Sequence, residues 1–356
     1  MLSIKELRDR AVIRPIKQAV EDQLLDLPGV TAVDIGERRV AGRGTGEQAI
    51  VVSVRRKLPV EQLAADACVP HDVLDIPVDV IQEEPVLHHA HRFPGARADL
   101  SRAQADFPGQ QAGFPGRQAE HDHFREIGEV VGGTGIAPSR RIAVVPPVVE
   151  VAGEYRRVGT LGAVVTGHAP AAVRMGLTTF DVACMDDAWS VGDRMLEPGG
   201  GHVYADLTRA ALSARVDAAA VTLGGELSHS CTVAGIGFVT GQSAAYPGEV
   251  VRKCGYGTGL SSGVVASADA TLQLDHGDAL GVRVLREQLR VQSTCPDVPF
   301  AGCGDAGAAV LNAEGRVVGL HVAGNRDGTA GFACPIGDVL AELDVELGLE
   351  SSEINA

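Results

Sequence analysis

Apolar residues recur at close to helical spacing through the first stretch of the chain. Ile4, Leu7, Val12, Ile16, Val20, Leu24 and Leu25 stand with charged residues between them. A period near 3.6 marks an amphipathic helix, so residues 4–27 are predicted as one helix, bent or divided by Pro15 and stopped by Pro28-Gly29. The pattern then changes to strands. Val30–Ile35 alternates and Ala49–Val54 is a continuous β-branched run, with the turn-rich 41–46 between them, which predicts a hairpin. A short helix over Pro59–Ala65 and a strand over Val78–Ile81 complete a small α+β unit, residues 1–84.

Residues 85–140 lose this periodicity. Phe-Pro-Gly occurs three times, from Phe93, Phe107 and Phe114, among Gln, Ala, Arg and His. Such a segment cannot bury a core and reads as a Pro/Gly/His-rich linker with little regular structure. Its histidines, His88, His89, His91, His121 and His123, suggest either metal ligands or solvated polar residues. No acidic or cysteine ligand stands at a fixed metal spacing among them, so the solvated reading is preferred.

From 141 to 347 short apolar runs return every 8–12 residues, separated by Gly, Pro and Asp turns. Ile142–Val145, Gly162–Val165, Ala219–Leu223, Gly263–Ala266, Leu280–Val284, Ala308–Leu311 and Val317–Val322 are the predicted strands, a spacing that suits a barrel or sandwich. A closing helix is predicted over Ile336–Leu347, followed by a tail, 348–356. The class is therefore mostly β.

Composition narrows the function. With 4% aromatic residues, the core is built from Val, Leu, Ile and Ala, and 44 glycines and 18 prolines favour a turn-rich β architecture. A net charge of −15 argues against nucleic acid and anionic membrane surfaces, where clustered cations are needed. The charged start, Met1 to Glu6, shows no export signal, and no apolar run of membrane-spanning length occurs. With seven cysteines and no C-x-x-C pair, the expectation is reduced thiols in a cytoplasmic protein.

Three segments carry the candidate chemistry. The first is Gly159-Thr160-Leu161-Gly162, followed by Gly176-Leu177-Thr178-Thr179-Phe180-Asp181-Val182-Ala183-Cys184. The second runs from Arg215 through Asp217 to Val221. The third is Gly302-Cys303-Gly304-Asp305-Ala306-Gly307-Ala308-Ala309-Val310, followed by Gly315–His321. In this order they resemble the chymotrypsin/trypsin-like (S1-type) serine peptidases over roughly 140–345. The third segment follows that family's Gly-Asp-Ser-Gly-Gly-Pro frame, with Ala306 in the nucleophile's place. The first resembles a Leu-Thr-Ala-Ala-His strand end with Asp181 where the histidine belongs, and the second maps the third triad member onto Asp217. Val54-Arg55-Arg56-Lys57-Leu58-Pro59 and the Gly255–Gly263 hairpin also resemble a bacterial and plant branch that includes the Narrow leaf 1 proteins.

The resemblance implies a trypsin-like double β-barrel with a degenerate triad. Alanine has no proton to lose, and an aspartate with an ordinary pKa of about 3.9 is a weak base at neutral pH. Losing a triad serine or histidine alone costs on the order of 10⁶ in turnover. The expected function is that of an inactive pseudopeptidase, a binding or assembly module whose partner is a protein, a peptide or, in a homo-oligomer, a second copy of the chain, with no cofactor or metal. The Gly304, Asp305 and Ala306 backbone would keep an oxyanion-hole-like nest. Phe300, His321 and Gly324 map to the pocket. With Asp181, Asp217 and Asp305 close together, either one carboxylate is held protonated or a cation sits between them. The rival is a hydrolase: either a Ser-to-Ala variant at Ala306, or an enzyme whose nucleophile has moved, with Cys303 as candidate and His202, His229 or His321 as possible base.

Overall fold

The computed structural model describes residues 3–40, 42–64, 67–92, 129–168, 172–199, 201–225, 227–295 and 297–349. The Phe-Pro-Gly runs, His121 and His123 lie outside them.

The N-terminal helix runs unbroken from Ile4 to Leu25. Its start is fixed by a capping box, in which the Glu6 N–H donates to Ser3 Oγ and the Ser3 N–H donates to the Glu6 carboxylate. Pro15 does not divide it. A proline there costs about 3 kcal/mol, and packing offsets that cost: Ile13, Leu24 and Leu25 are buried against Val30, Val33, Ile35, Ile50 and Val52. The buried face also differs from the predicted stripe. Ile4 is 72% and Val12 60% exposed, whereas Arg10, Lys17 and Glu21 are buried. Lys17 Nζ lies 2.5 Å from Glu21 and 2.6 Å from Thr271 Oγ1, so Lys17 and Glu21 are paired inside, whereas Arg10 Nε and Nη1 have no hydrogen-bond partner among the described residues.

The hairpin forms as predicted, with longer strands, Val30–Val40 and Arg43–Val54. Its register places Val33 opposite Val52 and Ile35 opposite Ile50, both pairs facing the helix side core. The strand Ile76–Gln82 adds in parallel to Arg43–Val54. The short helix expected over 59–65 is reduced to one 3₁₀ turn, Val60–Gln62. This sheet is continuous with the rest of the molecule: Ala32 and Val33 pair with Leu272 and Thr271.

Six strands form a closed barrel: Val250–Gly255, Gly259–Asp275, Val282–Ser293, Ala309–Asn312, Arg316–Gly324 and Ala330–Pro335. The first pairs with both its successor and Ala309–Asn312, which closes the ring. The other sheet, which comes earlier in the chain and is called the first barrel (the closed one being the second), curls round its own core of Ile136, Leu161, Val182, Met195, Leu207 and Val221. Its strands include Gly135–Pro138, Gly153–Thr160, Val164–Gly167, Arg174–Thr178, Arg194–Leu196, Val203–Leu212 and Asp217–Leu223. The closing helix ends at Leu343, not 347. Asp344 takes a left-handed conformation, and Val345–Leu347 becomes a strand paired to Val164–Gly167.

Residues 85–140 depart most from expectation. Val86–Leu87, Ala90–Arg92, Glu129–Gly132 and Gly135–Pro138 are all strands within it. The last belongs to the sheet of the first barrel, and the first two lie across the cleft between the barrels.

Candidate functional site

The Gly304–Gly307 loop joins the two barrels at the cleft. Gly304 and Gly307 have φ of +94° and +97°, which L side chains rarely adopt, so the loop requires glycine there. Thr160 clamps it from the first barrel: its Oγ1 donates to the Gly304 carbonyl at 2.8 Å and its N–H to the Ala306 carbonyl at 2.8 Å. Asp305 points inward and accepts from the backbone of Gly257, Thr258 and Gly302, from Thr258 Oγ1, and from Lys253 Nζ at 2.6 Å. The loop is thus held in a fixed shape that aims the Gly304 and Ala306 N–H groups into the cleft.

Both N–H groups are engaged. The His88 carbonyl accepts from Gly304 at 2.7 Å and from Ala306 at 3.2 Å. His88 belongs to residues 85–92, here called the strap, which crosses the cleft in extended form. Val86 and Leu87 pair antiparallel with Gly324 and Ala323 of the second barrel. Ala90, His91 and Arg92 pair antiparallel with Val158, Arg157 and Arg156 of the first. The three histidines expected in a solvated linker therefore lie in the cleft, because the two barrel edges and the loop supply partners for an extended backbone.

The His88 side chain fills the pocket. Its Nδ1 lies 3.0 Å from His321 Nε2, and its other ring nitrogen faces the Asn325 carbonyl. Gly324 makes the room, since a Cβ there would collide with His88 Cε1. Phe300 stands edge-on to His321 with ring centroids 6.2 Å apart. His321 Nδ1 is buried without a partner among the described residues. Burial pushes the His88 pKa down to about 4 and that of His321 well below its ordinary value, so both rings are neutral at pH 7. With the Asn325 carbonyl beside His88, the tautomers are assigned so that His321 Nε2–H donates to His88 Nδ1 and the His88 proton sits on Nε2.

Of the triad-like positions, Asp181 and Asp217 are in hydrogen-bond contact, and Ala306 shares a core cluster with Val182. Ala306 is fully buried and has no hydroxyl. Asp181, in the short helix Phe180–Cys184, spends both oxygens on neighbours: Arg157 Nη1 at 2.6 Å and His89 Nδ1 at 2.6 Å. Burial works to raise its pKa, but Arg157 and His89 outweigh it and hold the carboxyl far below the usual range. Asp217 accepts from the Asp181 N–H at 3.1 Å and from His276 Nε2 at 2.8 Å. Burial opposes the charge on His276, yet the Asp217 hydrogen bond raises its pKa, and its Nδ1 faces the Leu274 carbonyl at 3.3 Å. Both ring nitrogens thus meet acceptors, as an imidazolium requires. Each of the three carboxylates meets its own basic partner: Asp181 meets Arg157 and His89, Asp217 meets His276, and Asp305 meets Lys253.

Cys303 is a poor replacement nucleophile. Burial, reinforced by Asp305, pushes its thiol up to about 12. The neutral thiol attacks weakly. Among the candidate bases, His202 is exposed at the start of the Val203–Leu212 strand, and His229 lies on the Ser228–Val233 strand outside the cleft residues named here. His321 reaches His88 instead of a nucleophile. A separate cavity of about 450 Å³, lined by Lys5, Asp9, Val12, Ile13, Thr45 and Gln48 among others, shares no residue with the cleft. The sequence pattern placed His88 and His89 in a solvated linker and gave no sign of Arg157, Lys253 and His276. The adjacent His88-His89 pair was the signal available, but nothing local tied it to loops 90 to 230 residues away.

The architecture is mostly β, a trypsin-like double-barrel fold carrying an added N-terminal helix and sheet. Among solved structures the chain is similar to Thermobifida fusca protease A, at 21% identity and a TM-score of 0.45, over 62% of this chain and 99% of that one. It is also similar to Cellulomonas bogoriensis chymotrypsin, at 19% identity and a TM-score of 0.43, over 62% and 99%. Nocardiopsis protease matches at 18% and 0.44, over 62% and 98%. No protein-family model and no curated protein matches the chain.

Proposed function

We propose that the protein is a catalytically inactive trypsin-like pseudopeptidase that works as a peptide-binding module. The observation that carries this reading is the state of the two reactive positions. Ala306 offers no nucleophile, and both Asp181 oxygens are committed to Arg157 and His89. The surrounding frame is kept: the Gly304 and Ala306 N–H groups, the pairing edge at 323–324 and the pocket all engage an extended segment. A fold that retains its recognition surfaces while lacking a nucleophile supports binding without turnover.

The test restores the missing group. Ala306→Ser is made alone and together with His88→Ala, which loosens the strap, and the intact mass is measured after exposure to a fluorophosphonate probe. The expected result is no mass increase in either folded variant, as in the parent. Labelling of the double variant would reveal a competent base behind the strap and overturn the reading. Labelling lost on adding His89→Ala would then identify that base as His89.

A further inference from the structure

The strap contacts the cleft through three kinds of site at once. Its backbone completes two strand edges, one on each barrel. Its His88 carbonyl takes the two loop N–H groups. Its side chains supply the rest: His88 in the pocket and His89 on Asp181. Backbone pairing accepts nearly any extended peptide, so selectivity must come from the side chains.

The pocket's chemistry is specific. It presents one donor, His321 Nε2–H, and one acceptor, the Asn325 carbonyl, to a planar ring lodged against Gly324. A neutral imidazole carries one acceptor and one donor on opposite sides of a small ring and satisfies both. Phenylalanine or leucine would leave two buried polar groups unpaired, and lysine would bring an unpaired charge. Sites built to hydrogen-bond a ligand group reject analogues that lack it far more strongly than apolar pockets do.

The strap is also seated superficially. Pro85 and His88 are buried, but Val86, Leu87 and residues 89–92 remain partly exposed. It is anchored just upstream, where Arg290 holds Glu83 at 2.8 Å and Arg55 and Arg326 hold Glu84 at 2.6 and 2.9 Å. Leaving the cleft would uncover the core faces against which Leu87 and Ala90 pack, but within 86–92 only His88 is buried.

Resting on the pseudopeptidase reading, we propose that the cleft is a receptor for an extended segment of another polypeptide that presents a histidine to the pocket, and that residues 85–92 are the built-in occupant this ligand displaces. The ligand pattern is the strap's own: two apolar residues, then the pocket histidine with a second histidine after it.

The experiment uses a fluorescently labelled synthetic peptide of residues 85–92 with the full-length chain, parent and His88→Ala, followed by anisotropy. His88→Ala is expected to bind the peptide at least tenfold more tightly than the parent, whose pocket is already filled. Replacing the peptide's first histidine by Phe or Lys should weaken binding at least tenfold. Gly324→Val in the His88→Ala background should abolish it, with circular dichroism and thermal unfolding showing that the barrels are folded. Equal affinity for the His, Phe and Lys peptides would sink the histidine receptor while leaving a peptide-binding module standing. No binding by the folded His88→Ala chain would remove the binding-module reading as well, whatever the fluorophosphonate result. Concentration-dependent dimers of the parent in light scattering, lost in His88→Ala, would make the occupant a second copy's strap and overturn the proposal.

Discussion

Lys253 is fully buried, yet its ammonium is 2.6 Å from Asp305 and 3.0 Å from Thr258 Oγ1. Removing one member of such a pair leaves a bare charge inside the protein, a loss of about 3–5 kcal/mol. Lys253→Met should therefore lower the stability of the chain by that amount in chemical denaturation, and it should also free the 302–306 loop that Asp305 braces. A loss below about 1 kcal/mol, the range of surface pairs, would mean the pair does not brace the loop. The same scale shows what one sequence can reveal. Gly304-Asp305-Ala306 was legible because its frame is contiguous, and Asp181 and Asp217 because one follows and the other opens a recognisable strand pattern. Lys253 lies two residues before the expected Gly255–Gly263 hairpin and carried no sign of its partner. His276 and Arg157 meet their carboxylates across 59 and 24 residues of sequence, pairings that no local pattern encodes.

At the scale of elements, the strap answers to acid. His88 is held at about 4 and His91 at about 3, in each case by burial first, against an ordinary value of 6.5. The charged and titratable groups around His88 are His321, Lys253, Asp305 and His89; those around His91 are His89, Arg157 and Asp181. A depressed folded pKa gives docking stability that is complete above 6.5 and lost as pH falls towards the folded value. Each such histidine weakens docking by about 1.4 kcal/mol per pH unit in that window. Amide exchange at residues 86–92, corrected for its intrinsic rate, should show at least tenfold less protection at pH 5 than at pH 7. Unchanged protection would separate the strap from the titration of its histidines. His276 runs the other way. Its raised pKa gives stability that is complete below 6.5 and lost as pH rises through the folded value, so His276→Asn should flatten the alkaline side of a stability–pH curve. Strand positions were well legible because period two survives wherever one face is buried. The strap was not, since its pairing partners are sheet edges rather than a core, and such a segment needs no apolar alternation.

Across the whole molecule, the N-terminal helix and hairpin continue the sheet of the second barrel. Val33, Ile35, Ile50 and Val52 are covered by the helix, and Glu21 receives Lys17, Thr271 and Arg286. Deleting residues 1–29 should therefore expose an apolar sheet face together with an unpaired inner network. The truncated chain is expected to aggregate or to unfold at markedly lower temperature than the parent; a soluble chain with an unchanged Tm would show that the barrels stand independently. The continuity also bears on the strap, which leaves this sheet after Gln82 and enters the cleft three residues later. Receptor and occupant are thus one polymer, and a tethered segment acts at an effective concentration on the order of millimolar however dilute the protein. Dilution cannot open such a cleft. A free peptide matching the strap in intrinsic affinity would half-fill it only near that concentration, so casual encounters with abundant weak binders leave no mark. The built-in segment sets a threshold, and single substitutions within it would tune that threshold over decades while the recognition surface itself stays unaltered.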